Sequence, residues 1–327
     1  MSSEKELLLG IEIGGTKFQL AAAEAPGEIV HWQRITQETG VTASDIREQI
    51  ATSLQLWGGI KWRAAGVGFG GPVDWRNGRV HCSHQIDGWD KVDFCTWLSA
   101  LIGAPVAIDN DANVAALAEV WHGAGMGRSP VFYTNSGSGV GGGLIIDGRI
   151  YHGTPPGEAE FGHVRLAPFG PTVEDVCSGW AVDRKVRQHC AGFPSGILGK
   201  LVAQTPGREA RHLGAALLAG DAAAKGILDE TASTLAFALS HVVHLFHPEM
   251  VILGGGLSLI GEPWRESVAN ALPQHLMRAY LPGPDICLAS LRDDVVPVGA
   301  LLLADSLDRR DPVDHLRETP AGRLVTA

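Results

Sequence analysis

The residues of this sequence that could do chemistry fall in three glycine-rich turns and one run of carboxylates and amides. Gly10-Ile-Glu-Ile-Gly-Gly-Thr-Lys17 lies between the apolar runs Leu7–Leu9 and Phe18–Ala23, which reads as strand, tight turn, strand. Gly14 and Gly15 lack a Cβ, so a bulky anion can approach their backbone. Successive N–H groups at such a turn form an anion-binding concavity, to which Thr16 and Lys17 add a hydroxyl and a cation. The same residues equally suit a plain β-hairpin. A second cluster, Gly137-Ser138-Gly139-Val-Gly-Gly-Gly143, follows the strand-like Val131–Thr134 and precedes Leu144–Ile146. The third, Gly254-Gly255-Gly256, follows the apolar strand Met250–Leu253 and precedes a helix, where an open α/β sheet places its ligands.

Asp109-Asn110-Asp111-Ala112-Asn113 follows the strand-like Val106–Ile108. Asp and Asn are preferred helix N-caps, and a cap belongs here. Polar side chains converging at a strand end also make a small-molecule anchor. Phosphoryl transfer needs a carboxylate to accept the acceptor's proton, glycine turns for the phosphates and a metal ion; Asp111 can supply the carboxylate. The segment Glu158-Ala-Glu160-Phe-Gly162-His163, followed by Glu174, carries carboxylates and an imidazole suited to bidentate bonds with neighbouring hydroxyls. A solvated loop with a structural histidine reads the same way.

The elements that must position these residues repeat. Each half opens with strands joined by a glycine turn, the second also containing the hairpin signal Asp147-Gly148 before Arg149–Tyr151. Helices are expected at Ala43–Trp57 and Ala112–His122, then at Ala223–Phe246 and Pro263–Tyr280. This weak duplication implies two similar α/β lobes with a cleft between them. Gly66, Gly68 and Gly71, and again Gly137, Gly139 and Gly142, fit G-x-G-x-x-G, but neither set opens a helix, which disfavours a dinucleotide fold. Gly15-Thr16-Lys17 reverses the P-loop order.

A net charge of -10 over 327 residues argues against nucleic-acid binding, and no helix-turn-helix precedes the first strand. Six residues before Leu7 leave no room for a signal peptide, and no apolar run approaches the ~20 residues of a membrane span. The cysteines, 82, 95, 177, 190 and 287, are odd in number and form no C-x-x-C pair, a pattern of reduced thiols. A cytoplasmic protein is expected.

Gly10–Lys17, Asn110-Asp111, Gly137–Gly143, Glu160-x-x-His163 and Gly254–Gly256 together resemble the ROK family of sugar kinases, in that family's order and over about Leu8 to Leu303. The resemblance implies the actin/hexokinase-like ATPase fold, an α/β architecture of two lobes with ATP and sugar between them. It implies a small lobe over 1–123, completed by a C-terminal helix at about 297–310, a large lobe over 124–296, and a partly mobile tail over 311–327. Asp111 corresponds to the catalytic base. Asn110, Glu160, His163 and Glu174 correspond to sugar contacts, with Gly71 in the glycine-proline segment Gly70-Gly71-Pro72-Val73-Asp74 near the sugar. Gly14, Gly15, Thr16 and Lys17, with Gly137, Ser138 and Gly139, correspond to the two phosphate loops, and Gly254, Gly255 and Gly256 to the adenosine side. The implied cofactors are ATP and Mg²⁺, and the implied partner is a small sugar, with a homodimer as the family default.

Three departures stand out. The run Val164–Val173 has no cysteine, where many members hold a structural zinc through a cysteine cluster, so no zinc is expected. Pro168, Phe169 and Pro171 are expected to support the sugar-site wall instead. Gln85-Ile-Asp-Gly-Trp89, beside His84, stands for the family's Asn-Leu-x-Gly-Trp. Glu12 occupies a position where Asp is usual, and its carboxylate would help position magnesium through water. These readings point to MgATP-dependent phosphorylation of a hexose, most directly at the glucose 6-hydroxyl. Fructose, an amino sugar or a cyclitol are alternative acceptors, and a non-catalytic sugar or nucleotide sensor is the alternative of another class.

Overall fold

The structure, a computed structural model, describes residues 5–308 except 39, 84, 155, 156 and 158. His84, Glu158 and the tail expected over 311–327 therefore lie outside the described residues. Two compact units emerge: one takes the described residues of 1–127, 148–158 and 293–327, the other 128–147 and 159–292. Residues 148–158 thus cluster with the first unit, where a boundary at 123 assigned them to the second.

The first unit is built on strands β1 (Lys5–Ile13), β2 (Lys17–Ala23), β3 (Ile29–Thr36) and β4 (Ile60–Phe69), with the short pair β5 (Val73–Asp74) and β6 (Arg79–Val80), then β7 (Val106–Asn110). Its sheet runs in the order β3-β2-β1-β4-β7. The first two pairings are antiparallel and the last two parallel. Helices α1 (Ala43–Leu56), α2 (Phe94–Ile102) and α3 (Asp111–His122) follow along the chain. Strand alternation divides β1 between two faces. Leu9, Ile11 and Ile13 pack with Ile46 and Ile50 of α1 and Phe94 and Leu98 of α2, while Leu8 joins a second cluster with residues 301 and 304 near the C-terminal end.

The second unit repeats this order. Strands β8 (Val131–Ser136), β9 (Val140–Ile146), β11 (Met250–Gly254) and β12 (Asp285–Leu288) of this unit, with the edge strand β10 (Arg149–Ile150) from the stretch 148–158 that clusters with the first unit, form a sheet in the order β10-β9-β8-β11-β12. β8 and β9 are an antiparallel hairpin, and β8, β11 and β12 are parallel. Helices α4 (Val173–Cys177), α5 (Gly179–Gly192), α6 (Ile197–Gln204), α7 (Leu213–Leu218), α8 (Ala222–Phe246) and α9 (Glu262–Ala271) belong to this unit. Buried Leu228, Leu235 and Leu239 of α8 anchor its core, and Asp221 caps α8 by accepting from the N–H groups of Ala223 and Ala224. α9 stops at Ala271 and gives way to 3₁₀ turns at Leu272–His275 and Arg278–Tyr280. A single helix over Pro263–Tyr280 does not form, because Pro273 lacks the N–H that a helix interior needs.

The last helix, α10 (Val295–Asp308), returns the chain to the first unit. Gly10 of β1 and Gly66 of β4 are direct register partners, and α10 lies on the flat spot they make. A Cβ on Gly10 would come 2.8 Å from the Pro297 carbonyl oxygen, and one on Gly66 would overlap the Ala300 carbonyl. Gly68 likewise faces Val296. Gly66 and Gly68, two of the glycines that match a dinucleotide fingerprint in sequence, therefore serve helix-on-sheet packing.

Even the smallest side chain at position 66 must push α10 off the sheet. Gly66→Ala is expected to lower unfolding free energy by about 2 kcal/mol in urea denaturation. A loss below about 0.5 kcal/mol, the range of ordinary surface changes, would contradict the packing role.

Candidate functional site

In the first unit β1 continues through Ile13, so Gly10 and Glu12 are strand residues and the turn is confined to Gly14–Thr16. The turn closes where the Gly14 N–H donates to the Lys17 carbonyl at 2.9 Å. The Gln85 side-chain amide lies against the Gly15 Cα, filling the space that a Cβ would need. Glu12 is 7% exposed on the face opposite Ile11 and Ile13. Its carboxylate pairs with Lys17 Nζ at 3.3 Å and accepts from Gln19, its partner across β1 and β2. Gln19 Nε2 also donates to the Asp293 carbonyl at 3.0 Å, and Arg34 pairs with the Asp293 carboxylate at 2.9 Å.

Gly70 joins this turn to Asp111. Its N–H donates to the Ile13 carbonyl at 2.8 Å. A Cβ built on it would sit 3.5 Å from the Gly14 Cα and 3.4 Å from Asp111 Oδ2. Asn110 caps α3, its Oδ1 accepting from the N–H groups of Ala112 at 2.9 Å and Asn113 at 3.4 Å. Its Nδ2 donates to the Gly71 carbonyl at 3.3 Å, which leaves the second amide hydrogen for a ligand. Cap and anchor are thus compatible uses of one side chain.

Asp109, read only as part of the polar run at the strand end, and His152 and Trp75, which the sequence reading passed over, complete the corner. The buried Asp109 accepts from the Asn110 N–H at 2.8 Å and from Asn113 Nδ2 at 2.9 Å, both through Oδ1. Its Oδ2 lies 2.6 Å from His152 Nε2. The His152 ring stacks on Trp75, with centroids 4.1 Å apart and planes at 20°. No spacing rule links 75, 109 and 152; only the fold does.

In the second unit the hairpin β8–β9 turns through Gly137–Gly139, closed by the Gly137 N–H donating to the Gly139 carbonyl at 2.9 Å. Glu174 reaches this turn: its Oε2 accepts from the Val140 N–H at 2.9 Å. Glu160 immediately precedes the 3₁₀ turn Phe161–His163, and its carboxylate is 3.7 Å from His163 Nε2, both side chains about half exposed. Gly162 presses this turn onto β9, because a Cβ there would overlap the Val140 carbonyl. Gly254–Gly256 meets the same region from β11: a Cβ on Gly255 would lie 2.6 Å from the Ser136 nitrogen, at the end of β8. A 3₁₀ turn, Gly256–Ile260, intervenes before α9, the helix expected from Pro263.

Phe169 does not support a wall. It is 102% exposed with φ of 60°, at the tip of a small loop closed by Arg165 and Thr172.

The first unit therefore assembles Glu12, Gly14–Lys17, Gly71, Asn110 and Asp111. The second assembles Gly137–Gly139, Glu160, His163, Glu174 and Gly254–Gly256. At the second turn nothing stands within 4 Å of a Cβ position at Gly137, so that face of its backbone is open, whereas Gln85 covers the corresponding face of Gly15 in the first. Glu12 suits magnesium only through water, because Lys17 and Gln19 already bond its oxygens. Among the described residues no group of three or more His, Cys, Asp or Glu could hold a metal ion, and no helix is long and apolar enough to cross a membrane.

Comparison with known proteins agrees with this geometry. The ROK family model matches residues 8–306. Glucokinase of Thermotoga maritima is 32% identical over 308 residues, covering 90% of this chain and 95% of that protein. Glucokinase of Streptomyces coelicolor is 30% identical over 320 residues, 94% of this chain and 99% of the relative. Among solved structures, a ROK family glucokinase from Streptomyces griseus in complex with glucose and AMPPNP superposes with a TM-score of 0.81 at 29% identity, covering 92% of this chain and 99% of that one. The chain belongs to the ROK family, and its two similar α/β units are the halves of that family's actin/hexokinase-like fold.

Burial raises the Glu12 carboxyl above its ordinary value of 4.5, against the lowering effects of Lys17 and Gln19. The folded chain thus holds this proton more tightly than the unfolded one, and the associated stability is complete below 4.5 and lost as pH rises through the folded value. Glu12→Gln removes that loss. The variant's unfolding free energy relative to the native sequence is expected to rise as pH increases above 4.5, measured by urea denaturation at a series of pH values; a pH-independent difference would contradict it.

Proposed function

We propose that this ROK-family phosphotransferase moves the γ-phosphoryl group of ATP to a primary hydroxyl of a hexose, with the glucose 6-hydroxyl as the first acceptor to test. The observation that carries the reading is the first-unit cluster, in which the Asp111 carboxylate lies beside Gly70 and the turn at Gly14. Family membership and the glucokinase relatives support it.

Asn110, through its remaining amide hydrogen, would bind the sugar together with Gly71, Glu160, His163 and Glu174. These contacts hold the reacting hydroxyl toward Asp111. As the hydroxyl oxygen forms its bond to the γ-phosphorus and the bond to ADP breaks, the proton passes to the Asp111 carboxylate. An ordinary carboxylate suffices, because in a loose transition state the proton leaves late. The N–H groups of the two turns other than those of Gly14 and Gly137, which close them, would stabilise charge on the phosphate oxygens together with the Lys17 charge, and Gly254–Gly256 would receive the adenosine. Magnesium, when bound, neutralises charge on the β- and γ-phosphates, with Glu12 holding one of its waters. Zinc has no part in this reading, since Val164–Val173 has no cysteine and His163 pairs with Glu160.

Asp111→Asn tests the base directly. Turnover measured by coupled ADP release is expected to fall about 1,000-fold, while calorimetry finds the sugar bound within about threefold of the native affinity. A variant that keeps turnover within about tenfold would remove Asp111 from this role. A panel of glucose, mannose, fructose, N-acetylated hexosamines, amino sugars and cyclitols identifies the acceptor. Sugar binding with no ADP release from any of them would instead favour a sensor.

A further inference from the structure

Glu174, assigned to the sugar through family resemblance, touches the second glycine turn. Val140 begins β9 opposite Ser136 and is 6% exposed, so its N–H needs an acceptor inside the protein. That acceptor is Glu174 Oε2 at 2.9 Å. The same oxygen occupies the space where a Cβ on Gly139 would project. Beyond α4 the Gly179 N–H donates to the Gly137 carbonyl at 2.7 Å. The turn is thus gripped at Gly137, Gly139 and Val140 by the single stretch 174–179. Glu174 is itself fixed, because it lies in the first turn of α4, where Thr172 and Asp175 form a capping box. Among the described residues its Oε1 takes no hydrogen bond.

We propose that Glu174 is the positioning residue of the Gly137–Gly139 turn. Its Oε2 sets the turn's backbone for nucleotide phosphates while its Oε1 receives a sugar hydroxyl, so one carboxylate links the two ligands. The linkage rests on the kinase reading above; the bracing of the turn does not. Two substitutions separate the roles. Glu174→Gln keeps a carbonyl oxygen for the Val140 N–H and removes a negative charge beside the phosphate turn. Glu174→Ala removes both.

The test combines amide hydrogen exchange over residues 137–141 with calorimetric binding of Mg·AMPPNP, with and without glucose. In Glu174→Ala, exchange at Val140 accelerates and Mg·AMPPNP binds at least about fivefold more weakly without sugar. In Glu174→Gln, exchange stays slow and Mg·AMPPNP binds at least as tightly as to the native protein, although glucose binds more weakly. Any gain in nucleotide affinity caused by glucose in the native protein disappears in Glu174→Ala, since the carboxylate proposed to join the two ligands is gone, and the reciprocal gain in glucose affinity disappears with it. Unchanged Val140 exchange in Glu174→Ala overturns the brace. Faster exchange with unaltered Mg·AMPPNP affinity overturns the positioning role. A native protein that binds no Mg·AMPPNP overturns the kinase reading and the linkage, while the exchange result still decides the brace.

Discussion

An anion-binding turn must satisfy two opposed demands. Its backbone needs glycine so that N–H groups can meet the ligand closely, yet glycine carries the largest conformational freedom to be lost. In this protein side chains from elsewhere in the same unit supply the missing restraint. Gln85 fills the space beside Gly15, and Glu174 fills the space beside Gly139 while bonding the next N–H. The hairpins that present the turns are held in their sheets by parallel strands on one side, β4 beside β1 and β11 beside β8.

Asp109 plays a comparable part for the corner at Asn110 and Asp111. A buried carboxylate needs partners, and this one uses the Asn110 N–H, Asn113 Nδ2 and the His152 ring. Stacking on Trp75 fixes His152 in turn. Asp111 stands at the first position of α3, so a displacement of Asp109 would shift the proposed base with it. Rigid support of a reacting group is the ordinary requirement for alignment in phosphoryl transfer.

Much of the architecture is written in local patterns. Two strands flanking a glycine turn, repeated at 131–146, foretell two similar α/β units, and the Asn110 cap is readable from its place between strand and apolar helix. What escapes sequence is set by distant partners. The packing role of Gly10, Gly66 and Gly68 has no local signal, because α10, more than two hundred residues later in the chain, is what lies on them. His152 has no local signal because its partner Asp109 is 43 residues away. Phe169 looked like a packing residue among prolines, but a short loop with a left-handed residue at its tip turns the ring to solvent. Glu174 is legible as a carboxylate following the Glu160–His163 set; its bond to Val140 is not, since β9 and α4 meet only through tertiary packing.

The central claim is that both glycine turns receive the phosphates of one nucleotide. Amide chemical shifts of isotopically labelled protein, followed while Mg·AMPPNP is added to saturation, address it directly. The account predicts that the N–H signals of Gly14 and Gly15 and those of Gly137 and Gly139 move together along one binding curve. Saturable nucleotide binding that leaves either turn's amides unmoved would contradict it.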